Sequence, residues 1–414
     1  MLSRRAALAL LVAIPFTAEA QRTSTALCGE TSPAASRAAS RAASPVPIRV
    51  PIVLVNNHVH VEVCAAGRTL NFILDTGAGA SFFDLGVANE LGIARRGAFR
   101  GSGAGAGTVE GARLDTMRVH VGETSLLVRA ALDFAGVSLG EGAPVQGILG
   151  HDFIARWVVA IDYDAGELIL YDPETFSYSG AGAIIPIDSF DRNHPHVRAE
   201  IVVGGKTIDM KAIVDVGAST ALALTKPFVD KHQLRTRVSP TIRTSIGGGV
   251  GGPVIADVGR VDALRVGRYS FNRPVTQLFG DSAGVFSGNL WDANIGGEVL
   301  RRFRVFFDYG RRQMILEPGR ELTRPFEGDM SGLRIRAQRR LDSLIVAHVM
   351  PGTPADEAGI RSGDVVVAVD GKPVTSSTLR ELRPRLRRLG ESVSLSILRG
   401  TERAEARLAT RRLI

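Results

Sequence analysis

Phe72-Ile73-Leu74-Asp75-Thr76-Gly77-Ala78 and Ala212-Ile213-Val214-Asp215-Val216-Gly217-Ala218 read alike: an apolar strand delivers an aspartate onto a tight glycine turn. At a similar distance downstream, each is followed by a second apolar strand ending in glycine, Ile148-Leu149-Gly150 and Asn294-Ile295-Gly296. Beyond that glycine the two stretches run in step without a gap, Gly150 through Trp157 to Asp162-Tyr163 against Gly296 through Phe303 to Asp308-Tyr309. The chain therefore carries a duplicated unit with one strand-end aspartate per copy. Such a duplication can bring two carboxylates to one axis. The glycine after each Asp-Thr or Asp-Val pair lets the backbone turn tightly and aim an amide at the carboxylate.

The 414 residues are too many for one compact core and suit two or three domains. A composition of 45% hydrophobic and 22% charged residues is ordinary for a globular protein. The formal charge is +8, with an isoelectric point near 10.0. The densest basic clusters, Arg301-Arg302 with Arg304 and the run from Arg383 to Arg388, have no aromatic interleaving. They read as solvated surface, and no nucleic-acid partner is expected.

Arg4-Arg5, the apolar run Ala6 to Phe16 and the small-x-small site Ala18-Glu19-Ala20 make residues 1–20 a signal peptide. The protein is expected to be exported, periplasmic or secreted, with no stable membrane span. Residues 21–47 are Ala, Ser, Arg and Pro with almost no large apolar side chains, and read as a flexible linker. Only Cys28 and Cys64 are present. Export permits a disulfide between them; Cys64 as a strand residue with Cys28 as a free thiol fits equally well.

From Ile48 onward, short β-branched strands bounded by Gly, Asp and Asn dominate. The first copy is assigned to 48–180 and the second to 181–325. Asp84 to Leu91 and Lys226 to Leu234 are short helical candidates at corresponding places. A third module occupies 328–414. It has a strand at Leu344-Ile345-Val346, a hairpin turn at Asp370-Gly371, and a helix with Leu379, Leu382, Leu386 and Leu389 on one stripe closed by Gly390. Pro384 inside that helix predicts a kink or a late start.

Two carboxylates about 4 Å apart repel by roughly 4 kcal/mol at an effective dielectric of ~20. That separates their first and second deprotonations by on the order of three pKa units. Such a pair holds one shared proton: the ionised partner draws a proton from water while the protonated one polarises a carbonyl. The reaction needs no metal and no cofactor, and none is expected.

On these residues the two copies resemble lobes of retropepsin-type aspartic peptidases, as a single-chain pseudo-dimer. The resemblance implies a mainly β fold of two tandem retropepsin-like β-barrel lobes, an endopeptidase activity on polypeptide, and Asp75 and Asp215 as the catalytic pair. It makes Thr76, Gly77, Val216 and Gly217 the supporting loop residues. In that family a threonine after each aspartate bonds across to the opposite loop. Val216 departs from the pattern, so Thr76 alone can make its half of the clasp. A non-catalytic peptide-binding protein of the same fold is the rival reading, and Val216 is the feature that favours it.

The layout also implies one flap per lobe. Gly101 to Gly107, with Gly103 and Gly105, and Ile246 to Gly252, with Gly248 and Gly249, are the candidates; plain flexible loops are the alternative. His58-Val59-His60 and His194-Pro195-His196 put paired histidines on one strand face. No third ligand accompanies them, so no metal site is expected.

The third module resembles a bacterial PDZ domain, a small α/β fold, on Pro354-Ala355, Ala358-Gly359-Ile360, Gly363-Asp364 and Asp370-Gly371. The resemblance implies binding of a protein C-terminus or an extended strand. Its peptide site would be the loop Ser331-Gly332-Leu333-Arg334-Ile335, in which Arg334 stands where glycine is common. That edge is expected to lie away from the dyad.

Overall fold

The computed structural model describes Cys28 and residues 47–280, 284–338 and 342–414. The expected signal peptide and nearly all of the expected linker lie outside the described residues. Cys28 and Cys64 are paired as a disulfide, with their Cα atoms 5.7 Å apart.

The protein is mainly β. In the first copy His58–Ala65 and Arg68–Leu74 form a hairpin in which Val59 faces Leu74. Period-two alternation turns Val59, Val61, Val63, Leu70, Phe72 and Leu74 inward. Arg68–Leu74 also pairs in parallel with Gly147–Leu149, so it is hydrogen-bonded on both edges. The second copy repeats this with His194–Val203, Lys206–Asp215 and the parallel strand Ala293–Gly296. Every position of Phe72-Ile73-Leu74 and Ala212-Ile213-Val214 is buried, so both faces of each strand are covered, which is why they read as continuous runs.

The stretches that align without a gap are the ones that join the copies. Val158–Asp162 pairs antiparallel with Phe303–Asp308, Ala160 opposite Phe306. Through this pairing Phe303–Asp308, Gln313–Pro318 and Ala183–Pro186 extend the sheet begun by the first copy. One apolar core runs through both copies.

Leu85–Glu90 is helical, and Asp84 caps it by accepting from the Val87 amide at 3.1 Å. Lys226–Lys231 is its counterpart. The C-terminal module has its own core. Its hairpin turn places Asp370 and Gly371 at φ of 49° and 74°, as an Asp-Gly type I′ turn requires. Leu333–Ala337 is an edge strand paired with Leu344–Val349. The helix spans Thr378–Arg385, with Pro384 in its last turn. It starts directly after Ser377 and ends one residue after Pro384. Leu379, Leu382 and Leu386 are buried, but Leu389 falls beyond the helix and is 63% exposed, so the expected four-leucine stripe has three members.

Candidate active site

Both aspartates sit at strand ends where the backbone is fixed from two sides. The Asp75 amide donates to the Leu149 carbonyl at 2.9 Å. Each carboxylate then accepts the amide two residues on: Gly77 N to Asp75 Oδ1 at 2.7 Å, and Gly217 N to Asp215 Oδ1 at 2.8 Å. The turns face each other. A Cβ on Gly77 would stand 2.6 Å from Asp215 Cγ, and one on Gly217 would stand 2.2 Å from Asp75 Cγ. Only glycine at both positions lets each loop lie directly on the opposite carboxylate.

The clasp between the loops is one-sided. Thr76 Oγ1 donates to the Val214 carbonyl at 2.7 Å and accepts from the Val216 amide at 3.0 Å. Val216 is fully buried and contributes no hydroxyl.

The two carboxyl groups are in hydrogen-bond contact, and they are not equivalent. Burial, the charge of Asp215 and the bond between the two push the Asp75 carboxyl well above its usual value, against the opposing amides of Gly77 and Ala78. Asp215 accepts a second bond on its other oxygen, from Asn294 Nδ2 at 2.7 Å. Donors thus reach both oxygens of Asp215. Asn294 had no assigned role in the sequence reading. The signal was present: its counterpart in the first copy is Ile148, so a lone amide stands where the repeat has an apolar side chain.

A second buried pair flanks the dyad. His58 Nδ1 stands 3.1 Å from Glu141 Oε2, and both side chains are buried. His60 contacts the Asn71 amide group, and His196 Nδ1 lies 3.2 Å from Asp191 Oδ2. The histidine pairs are thus engaged with local polar groups.

Both glycine-rich segments are hairpin tips. Arg95–Ser102 with Thr108–Val121, and Ile242–Gly249 with Gly252–Arg260, are their arms. Gly248 and Gly249 pair with Pro253 and Gly252. The tips meet each other: the Gly105 amide donates to the Val250 carbonyl at 3.0 Å, and Gly107 to Gly251 at 2.8 Å. The Gly103 carbonyl accepts from Val285 at 3.2 Å. Each tip also packs into the other lobe, Val250 against the Leu132, Phe134 and Ile148 cluster and Ala104 against Ala223, Phe279 and Phe286.

The C-terminal module is not remote. The helix Ala135–Glu141 of the first copy covers the face between the edge strand and the Thr378–Arg385 helix: a Cβ on Gly142 would stand 2.9 Å from Leu379 Cδ2, and Arg383 donates to the Gly140 and Glu141 carbonyls. Arg334 Nε donates to the Ser245 carbonyl on the Ile242–Gly249 hairpin arm at 2.8 Å. The edge expected to lie away from the dyad thus rests on the second copy's glycine-rich hairpin. The loop expected to bind a chain end is internally filled. Asp329 Oδ1 accepts the amides of Ser331 at 3.1 Å and Gly332 at 2.8 Å, and Ser331 Oγ accepts that of Leu333 at 3.0 Å. Leu333 and Ile335 turn their side chains into the module's core.

A serine and a histidine also meet an acid near the second hairpin. Ser189 Oγ lies 3.1 Å from His196 Nδ1, the same nitrogen that faces Asp191. A nucleophilic triad needs serine and acid on opposite ring nitrogens, whereas His196 Nε2 is buried without a partner. Burial drives this imidazole's pKa down to about 4.

Residues 59–153 match the aspartyl protease family model, and residues 345–399 match the PDZ domain model. The C-terminal module is a PDZ domain. The putative serine protease HhoA of Synechocystis sp. is 40% identical over 73 residues, which is 18% of this chain and 18% of that protein. A probable CtpA-like serine protease of Staphylococcus aureus is 30% identical over 123 residues, 30% of this chain and 24% of that protein. The chain thus spans less than a quarter of the length of these curated relatives.

Proposed function

We propose that the protein is an exported aspartic endopeptidase in which Asp75 carries the shared proton and Asp215 activates the attacking water. The observation that carries this reading is the juxtaposition of the two carboxyl groups, each resting on the other copy's glycine turn. In the proposed cycle Asp215 takes a proton from water as it adds to the scissile carbonyl. Asp75 donates its proton to the carbonyl oxygen, giving a neutral tetrahedral diol. Collapse returns a proton to the leaving amine and the dyad to its starting state. Asn294 keeps its bond to Asp215 Oδ2 and orients that carboxylate throughout.

The flap tips close the cleft by backbone bonds that an extended substrate would replace, and this supports a polypeptide substrate. The disulfide fits an oxidising compartment and so supports export. The names of the relatives invite a serine mechanism; the Ser189–His196–Asp191 cluster lacks the nitrogen arrangement such a mechanism uses. A silent peptide-binding protein is the second reading, favoured by the missing hydroxyl at Val216. Cleavage of an unfolded protein across pH 3 to 8, with pepstatin in one arm and a fluorophosphonate in another, separates the three. Inhibition by pepstatin alone supports the proposal, inhibition by the fluorophosphonate replaces it with the serine reading, and absence of cleavage favours the silent binder.

A further inference from the structure

The turn Asn56-Asn57-His58 stands between two carboxylates that the PDZ domain reaches. On one side, His58 Nδ1 faces Glu141 Oε2 at 3.1 Å, and Asn56 Nδ2 donates to Glu141 Oε1 at 3.4 Å. On the other, Asn57 Nδ2 contacts Glu298 Oε2 and the Ser219 carbonyl, each at 2.7 Å. Ser219 belongs to the loop that follows Asp215. Two arginines four residues apart meet these acids. Arg383 donates to the backbone carbonyls of Gly140 and Glu141, and Arg387 Nη1 stands 3.7 Å from Glu298 Oε2. The second copy is built differently: His194 Nδ1 bonds the Asp191 backbone carbonyl at 2.9 Å, and Asn193 Nδ2 reaches the Gly79 carbonyl at 3.1 Å.

We propose that Glu141 and His58 form a positioning pair for Asp215, clamped by Arg383, so that the docked PDZ domain is part of the dyad's electrostatic setting. This deepens the aspartic reading and rests on it. Burial alone would push the His58 imidazolium down; the Glu141 carboxylate offsets that and leaves His58 above its usual value. The charged and titratable groups facing it are Glu141, Asp215, Arg383 and His60, of which the first two favour its cation and the last two oppose it. A cation held there favours the singly ionised dyad over the fully protonated one. Only the first copy supplies it, which adds to the asymmetry that Asn294 creates.

Histidine-selective NMR of the full chain follows the His58 ring, identified by its loss in His58→Gln. The proposal predicts a midpoint above 6.5 in the wild type and below it in Glu141→Gln. Arg383→Gln is the second variant. Removing a cation by charge alone would raise the midpoint, whereas release of the clamp frees Glu141 and lowers it; the proposal predicts the fall, with recovery in Arg383→Lys. In cleavage assays the acid limb of the pH profile should move upward by about half a unit or more in His58→Gln, which removes the cation at every pH. A His58 midpoint indifferent to Glu141→Gln, a rise in Arg383→Gln, or an unmoved acid limb overturns the proposal while leaving the aspartic reading intact, provided Asp75→Asn abolishes cleavage. If the wild type shows no Asp75-dependent cleavage, the aspartic reading falls and this proposal falls with it.

Discussion

Thr76 and Val216 face each other across the junction of the two copies, and only Thr76 brings a side-chain hydroxyl. The Thr76 hydroxyl takes the Val216 amide at 3.0 Å and returns its proton to Val214 at 2.7 Å. Thr76→Val should therefore strip two buried partners at once, at a cost of about 2–4 kcal/mol. Val216→Thr adds a hydroxyl at nearly unchanged volume, at the position that matches Thr76 in the repeat. It should be neutral or stabilising by up to about 1 kcal/mol. Denaturant midpoints that rank the two variants in the opposite order would refute this account of the clasp.

The dyad itself should be a stability liability at neutral pH. The folded Asp75 carboxyl holds its proton well above the value of 3.8 expected unfolded. For a raised carboxyl the folded state binds the extra proton, so stability falls as pH rises from about 3.8 through the folded value. Asp75→Asn removes that penalty. Its melting temperature should exceed that of the wild type at pH 8, by about 2–4 °C for each kcal/mol relieved. The excess should vanish below pH 3, where both states of the wild type are protonated. A gain that is constant with pH would point to packing instead.

For the His58–Glu141 pair the signs run toward an intermediate window. His58 is raised above 6.5, so its contribution is complete below that value and is lost as pH rises through the folded one. Burial works against Glu141, but the His58 charge leaves it below 4.5, so its contribution is lost as pH falls through that lower value. The pair is therefore worth most between about pH 4.5 and 6.5. Glu141→Gln should cost about 3 kcal/mol near pH 5.5 and less at pH 3 or 9. Urea midpoints at the three pH values check the pattern, and a penalty that is flat or largest at pH 9 contradicts it.

The flap tips offer a steric test. A Cβ at Gly105 would stand 2.3 Å from the Gly251 backbone carbon, whereas at Gly97, on the same hairpin, it would meet nothing within 4 Å. Gly105→Ala should force the tips apart and speed amide exchange at residue 105 and at Gly107, while Gly97→Ala leaves both slow. Equal protection in the two variants would mean that the tip bonds do not persist in solution.

Much of this site is legible in the chain because the duplication doubles each signal. Asp75 and Asp215, their glycines and the hairpin tips each recur at matching places, and burial of both strand faces explains the apolar runs before the aspartates. What breaks the symmetry is not legible that way. Asn294 donates where its counterpart Ile148 cannot, and only the tertiary fold brings Glu141 beside His58. The packing of the PDZ domain on Ala135–Glu141 is a long-range contact between surfaces with no motif of their own. The Asp329 carboxylate inside the expected peptide loop depends on a turn conformation, Gly332 at φ of 76°, that its residue type permits but does not announce.

The central claim, that Asp75 and Asp215 act as one proton-sharing unit, is tested most directly by kcat/KM of Asp75→Asn and Asp215→Asn on an unstructured peptide at the wild-type optimum. Asparagine keeps the shape and the amide contacts but can neither share the proton nor take one from water. The account predicts that each single variant loses at least about a thousandfold, and that the double variant loses scarcely more, since residues acting as a unit are not additive. Near-wild-type turnover in either single variant would contradict it.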